Sequence, residues 1–422
     1  MHDIAILAII WASVFVAAFL ADKTRLTPVL WYLFCGTALV NLNLLPQKMP
    51  VFIIDFADLG IIIIMFALGF EEETNNFVSS MKRSWGIALF GAIAPFSIAY
   101  FTTLYFWHEP NIALMCGLAM TATAVSLTMV SLKGEGLSGT PAATGIMTSA
   151  VLDDIGSLAL VAIMVPIATG EASPTIAGIT WVLGKAIAFF IMVIIIGNWL
   201  FPASQGLLKK IPLVGKINLR LFLSMGKGEY TILSLLLIAV AVGLLAHEFG
   251  FHPAIGAYMA GLVIHREYFD FHQEKTVDFY QQARDIIDNV AFTWIGPVFF
   301  ITLGAKLVFD LNIFISVLPE VMFLFVVLFF GQIVSAGLAA RFTGGFSWPD
   351  SLMIGFGMLG RAELAFVVIN IAFVQYEILS VEAFYTLMLT CFMLNISVPL
   401  TIRWWKTKYA STISRSQYNH IE

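Results

Sequence analysis

The sequence predicts an all-α polytopic membrane protein of about 13 transmembrane helices, built as two inverted six-helix repeats with two broken crossing helices in the core. Three observations predict it. The 422 residues are 59% hydrophobic and only 12% charged, with a mean hydropathy of +0.90, where soluble chains carry roughly twice that charged fraction. Apolar runs of about 20 residues, the length needed to cross the hydrocarbon, recur from one end of the chain to the other. The Lys and Arg residues sort to one side when those runs are threaded alternately through a bilayer.

The spans are expected over 3–21, 27–45, 51–70, 86–106, 110–132, 142–168, 175–201, 230–248, 252–268, 285–304, 312–341, 350–375 and 383–402. The first lacks a basic start and a small-residue cleavage site, so it reads as a spanning helix and not as a removable signal. Turn-rich or charged segments separate the runs, among them Ala21-Asp22-Lys23, Leu45-Pro46-Gln47, Glu71-Glu72-Glu73, His108-Glu109-Pro110, Gly170-Glu171, Glu248-Phe249-Gly250 and Tyr376-Glu377. With the N-terminus outside, only Lys48, Lys306, Lys185 and Arg361 of the 22 basic residues fall away from the inner segments. That asymmetry implies a multi-pass protein of the cell inner (plasma) membrane with a cytoplasmic tail over 403–422. The basic stretch 205–230 reads as an interfacial helix, and 265–285 as a solvated helical extension. Cys35, Cys116 and Cys391 sit in apolar runs without ligand-like spacing and read as small buried hydrophobes. No nucleic-acid partner is expected; membrane lipid is.

An odd number of spans permits a first repeat over 1–168, a linker helix over 175–201 and an inverted second repeat over 230–402. Such repeats place a binding site at the bilayer midplane on interrupted helices. Two interruptions are legible. Span five carries Thr121-Ala122-Thr123-Ala124-Val125-Ser126, and span twelve carries Gly355-Phe356-Gly357-Met358-Leu359-Gly360-Arg361.

The sharpest chemical signal is Asp153-Asp154 near the middle of span six. One Asp at the bilayer centre costs about 2.5–3.5 kcal/mol on insertion scales, so two adjacent ones point to a function, the alternative being a structural pair satisfied by neighbouring Ser and Thr. Neighbouring helical residues point roughly 100° apart, so one carboxylate can face a cavity while the other faces a neighbouring helix or its break. A hard monovalent cation and a proton compete for the same oxygens, and that competition is the minimum requirement for exchange. Thr121, Thr123, Ser126 and Thr128 are either helix-packing hydroxyls or ligand oxygens beside the pair. Arg361 and Glu363 read as an ion pair holding the broken helix or as substrate contacts. Gln332 divides between interhelical hydrogen bonding and function, Asn395 leans to structure, and the histidines lie at span ends or in loops.

At these residues the chain resembles the monovalent cation:proton antiporter superfamily, specifically its cation:proton antiporter-2 branch of bacterial sodium/proton antiporters. The resemblance covers nearly the whole length. It is carried by Phe66-Ala67-Leu68-Gly69-Phe70-Glu71, the Thr/Ala/Ser break, Val151-Leu152-Asp153-Asp154, Gly296-Pro297-Val298-Phe299-Phe300 and Gly360-Arg361-Ala362-Glu363-Leu364-Ala365. It implies a homodimer whose six-helix core moves like an elevator. It implies Asp154 as the ion- and proton-binding carboxylate and Asp153 as its neighbour, which in electrogenic members pairs with a lysine. Here Gln332 is the best match for that lysine, which makes electroneutral exchange the expectation. The transported ions would be Na⁺ or Li⁺, with K⁺ as the alternative, and H⁺; no resident cofactor is expected. Regulated potassium systems usually add a C-terminal nucleotide-binding domain, which favours sodium here. Two other classes set different requirements. A sodium-coupled symporter of an organic anion would need a bulkier pocket. An intramembrane aspartyl protease would need its two aspartates on different helices.

Overall fold

A computed structural model describes residues 3–24, 26–71, 74–137, 140–170, 176–195, 223, 229–249, 251–264, 266–269, 278–361 and 363–418. Every regular element among them is helical. In chain order these are α1 Asp3–Thr24, α2 Pro28–Asn41, α3 Val51–Glu71, α4 Thr74–Trp107, α5 Pro110–Ala119, α6 Val125–Gly134, α7 Pro141–Ala168, α8 Ile176–Ile195, α9 Thr231–Glu248 and α10 Pro253–Leu262. There follow α11 Phe279–Asn289, α12 Gly296–Gly304, α13 Leu311–Phe342, α14 Trp348–Gly357, α15 Glu363–Asn370 and α16 Val381–Tyr418. A π turn joins α11 to α12 over Val290–Trp294, and another extends α15 over Ile371–Gln375.

Among the described residues, seven helices are long and apolar enough to cross a membrane. Length alone counts fewer than the spans read from the sequence: the two broken helices enter as short pieces, and α2 and α10 have only 14 and 10 residues. Two helices outrun their expected spans. The α4 helix begins at Thr74 although its apolar part starts at Arg83, and α16 runs on to Tyr418 past a non-helical residue at Tyr409. Hydropathy marks where a helix meets lipid and not where its backbone hydrogen bonding stops. The expected interfacial helix over 205–230 lies outside the described residues, apart from Leu223, Glu229 and Tyr230. Within 265–285, Arg266–Phe269 forms a 3₁₀ turn and α11 starts at Phe279, with the Asp278 side chain accepting from the Gln281 N–H; 270–277 lie outside the description.

The chain divides into two compact units. The first comprises Met1–Val14, Cys35–Thr74 and Ala162–Lys306. Its centre is α3, packed against α10 and α12. Glycine lets those backbones touch: a Cβ on Gly69 would strike the Tyr258 carbonyl, and one on Gly261 would strike the Phe66 carbonyl. With little hydrophobic drive between helices in lipid, such close backbone approach is the main source of packing energy. Phe66, Phe70, Phe269 and Tyr280 form an aromatic cluster beside it, closed by the Tyr280 hydroxyl donating to the Phe70 carbonyl at 3.1 Å.

The second unit comprises Phe15–Phe34, Asn75–Val161 and Leu307–Glu422, and it holds both interruptions. Span five unwinds over 120–124, between α5 and α6, and span twelve over 358–361, after α14. Pro110 opens α5, and Pro349 sits in the first turn of α14. Proline is suited to those positions because the first helical N–H groups have no intrahelical partner.

Candidate functional site: two helix breaks and a buried aspartate

The two breaks touch through their backbones. The Ala124 N–H donates to the Gly360 carbonyl at 2.9 Å, and the Thr128 hydroxyl donates to the Gly357 carbonyl at 2.7 Å. Position 360 must be small for this contact, since a Cβ there would lie 3.0 Å from the Ala124 Cβ. The interruptions read from the sequence are therefore one structural feature, held together by backbone groups that a continuous helix would consume internally.

Asp153, on α7, is 1% exposed and points at the first break. Its Oδ2 accepts from the Thr123 N–H at 3.0 Å and from the Thr123 hydroxyl at 2.8 Å, while its Oδ1 is buried without a hydrogen-bond partner. Thr123 lies two residues ahead of α6, so the carboxylate sits at the positive end of that half-helix.

Arg361 occupies the second break, fully buried. Its Nη1 donates to the carbonyls of Met358 at 3.0 Å, Leu359 at 3.5 Å and Gly360 at 2.8 Å. These lie at the C-terminal end of α14, where helical carbonyls lack partners and the dipole is negative. The Nη2 donates to Gln332 Oε1 at 2.9 Å, and Gln332 Nε2 donates onward to the Gly91 carbonyl on α4 at 3.2 Å. Asn395 clamps the same residue from α16: its Oδ1 accepts from the Arg361 N–H at 2.7 Å and its Nδ2 donates to the Arg361 carbonyl at 2.5 Å. Arg361 and Asp153 lie within electrostatic reach of one another. Each half-helix end is thus met by a charge of opposite sign.

Of the residues singled out from sequence, Asp153, Thr123, Thr128, Arg361, Gln332 and Asn395 converge here. Thr121 does not, because its hydroxyl donates back to the Gly117 carbonyl of α5 at 2.9 Å. The side chains of Asp154, Ser126 and Glu363 lie outside the described residues, and with them the proposed Arg361–Glu363 pair. The partners found for Arg361 are Gln332 and the break carbonyls. Met358 was not foreseen: its sulfur lies 3.6 Å from the Ser149 hydroxyl and 4.0 Å from that of Thr123. Nor was Gly91, whose role runs entirely through its carbonyl. Neither residue type announces itself in a hydrophobic span.

Charged side chains at the meeting point of two broken membrane helices define a secondary transporter in class. Comparison with known proteins narrows the class. The family model described as "Sodium/hydrogen exchanger, transmembrane" matches residues 11–407, and the chain belongs to that family. A Na(+)/H(+) antiporter of Enterococcus hirae is 22% identical over 97% of this chain and 99% of its own. The Na(+)/H(+)-K(+) antiporter GerN of Bacillus cereus is 27% identical over 74% of this chain and 73% of its own. Among solved structures, the sodium proton antiporter MjNhaP1 of Methanocaldococcus jannaschii superposes with a TM-score of 0.71 at 15% identity, covering 95% of this chain and 99% of that one. At that identity the superposition speaks for the fold alone.

Proposed function

We propose that this protein is a secondary active antiporter exchanging Na⁺ or Li⁺ for H⁺, with Asp154 binding cation and proton in alternation and Asp153 supporting it. The observation that carries this reading is the placement of Asp153. It is a buried carboxylate with one oxygen committed to the Thr123 break and the other unpartnered, on the residue adjacent to Asp154. A carboxylate fixed in this way supplies negative potential without moving, which leaves its neighbour to exchange ligands. Thr123, Ser126 and the break carbonyls are the oxygen donors that the first break can offer a desolvated cation.

The second break supports electroneutral exchange. Gln332 carries no charge, and an arginine guanidinium does not release its proton in proteins. Neither can carry a second proton per cycle, so one proton on the aspartates balances one monovalent cation. Moving an unbalanced charge across 100 mV is worth about 2.3 kcal/mol, so an electroneutral exchanger does not feel that force. The division into inverted repeats, a homodimer, elevator-like movement and an external N-terminus belong to the same proposal, by analogy with the family. K⁺/H⁺ exchange is the second reading, favoured by the likeness to an antiporter whose name includes K(+).

Proton movement in inverted membrane vesicles on addition of Na⁺, Li⁺ or K⁺ tests the reading. The native chain should move protons and Asp154→Asn should not. Exchange that persists in Asp154→Asn overturns it. A Na⁺-driven current on a solid-supported membrane that survives collapse of the pH gradient overturns electroneutrality alone.

A further inference from the structure

Where the apolar part of α4 begins and α13 ends, two guanidinium groups are held on a single turn. Residues 343–347 connect α13 to α14, with Gly345 at φ +67° making the reversal. Arg83, on α4, donates through Nε to the Gly344 carbonyl at 3.2 Å and lies 4.7 Å over the Phe346 ring. Arg341, in the last turn of α13, donates through Nη1 to the Phe346 carbonyl at 2.9 Å and lies 5.5 Å over the Trp348 ring. The turn therefore holds two cations on carbonyls two residues apart. Gly86 permits the approach of α4, since a Cβ there would collide with Thr343.

Neither arginine has a carboxylate within ion-pair distance among the described residues. The nearby Asp350 is engaged by the Ser347 hydroxyl at 2.6 Å. A guanidinium offers five N–H donors, and each of these two spends one on the turn. The remaining donors of both groups are available to a phosphate oxygen.

The surroundings specify the kind of anion. Trp85 is 49% exposed, Trp348 57% and Phe342 75%, and aromatic residues of this kind mark the membrane–water interface. From there the exposed faces of both spans are apolar: Leu89, Phe90 and Ile93 on α4, and Val334 and Leu338 on α13. An apolar wall long enough for an acyl chain ends at two cations on a fixed turn. We propose that this corner binds the phosphate headgroup of an anionic phospholipid, with its chains along α4 and α13 and its phosphate between Arg83 and Arg341. Basic pockets at helix ends recognise anionic headgroups in this way. A free phosphate would gain nothing from the wall, and a zwitterionic lipid would bring a compensating positive charge.

The test is lipid binding to the full purified chain in detergent, read by native mass spectrometry of retained lipid. Phosphatidylglycerol, phosphatidylcholine and inorganic phosphate are titrated separately. Phosphatidylglycerol should be retained in preference to phosphatidylcholine, and inorganic phosphate should not displace it. Those arms use the unaltered chain and decide the matter even if a variant fails to fold. The double variant Arg83→Gln with Arg341→Gln should weaken phosphatidylglycerol retention by about thirtyfold, as expected from two surface charges. The double lysine variant should keep most of it. Equal retention of phosphatidylcholine, displacement by inorganic phosphate, or undiminished binding by the double glutamine variant would each overturn the proposal.

Discussion

Replacing Asn395 by leucine tests whether the second break is held open by its clamp. Leucine fills similar volume but removes both partners of the Arg361 backbone, the acceptor at 2.7 Å and the donor at 2.5 Å. Arg361 and Asn395 are both fully buried, so water cannot replace the lost bonds. An unsatisfied buried donor or acceptor costs about 1–3 kcal/mol, and losing two comes to about 2–6 kcal/mol. The loss falls on the segment that places the guanidinium. Asn395→Leu should therefore melt several degrees lower in detergent, followed by tryptophan emission, and should bind the transported cation more weakly. Asn395→Ala should be worse, because it adds a cavity to the same loss. If Asn395→Leu melts with the native protein and keeps its cation affinity, the clamp contributes nothing and the reasoning fails.

Other substitutions probe neighbouring contacts. Thr123→Val keeps the N–H bond to Asp153 but deletes the hydroxyl bond at 2.8 Å. A hydrogen bond to a charged group is worth about 1.5–3 kcal/mol, so the apparent cation affinity measured in vesicles should fall about tenfold or more. Gly360→Ala brings a Cβ to 3.0 Å from that of Ala124. Overpacking of this kind costs about 1–3 kcal/mol, and the transport rate should drop while Gly136→Ala, facing open space but at φ +71°, affects stability only. Gln332→Leu leaves Arg361 Nη2 and the Gly91 carbonyl without their partners. A lower melting temperature is expected, with electroneutrality on a solid-supported membrane unchanged, since no charge has been altered.

The membrane class, the positions of both breaks and the acidic pair at 153–154 are legible because each violates a local rule. An acidic pair in a hydrophobic run, and short polar or glycine residues where a helix should be smooth, are costly unless something outside the helix compensates. What could not be read was which partner compensates. Arg361 and Glu363 share one short segment, so sequence suggested a local pair. The fold gives Arg361 an amide from α13, an amide from α16 and three carbonyls of its own turn. Main-chain groups leave no trace in residue identity, and the Gly91 and Gly360 carbonyls were invisible for that reason. Gln332 stands out in the sequence as an isolated amide, but its use as a bridge between α4 and Arg361 depends on helix packing that one sequence does not encode locally. Asn395 was read as structural, and its clamp on the Arg361 backbone is a structural task performed inside the site.

The most direct measurement is proton release from the purified chain when Na⁺ is added in weakly buffered solution, followed with a pH indicator. If one acidic site holds either ion, the native protein gives up protons as sodium binds, more sodium is needed as the pH falls, and Asp154→Asn gives no release. Sodium binding that displaces no proton, or release that persists with asparagine at position 154, would contradict competition at the aspartate pair.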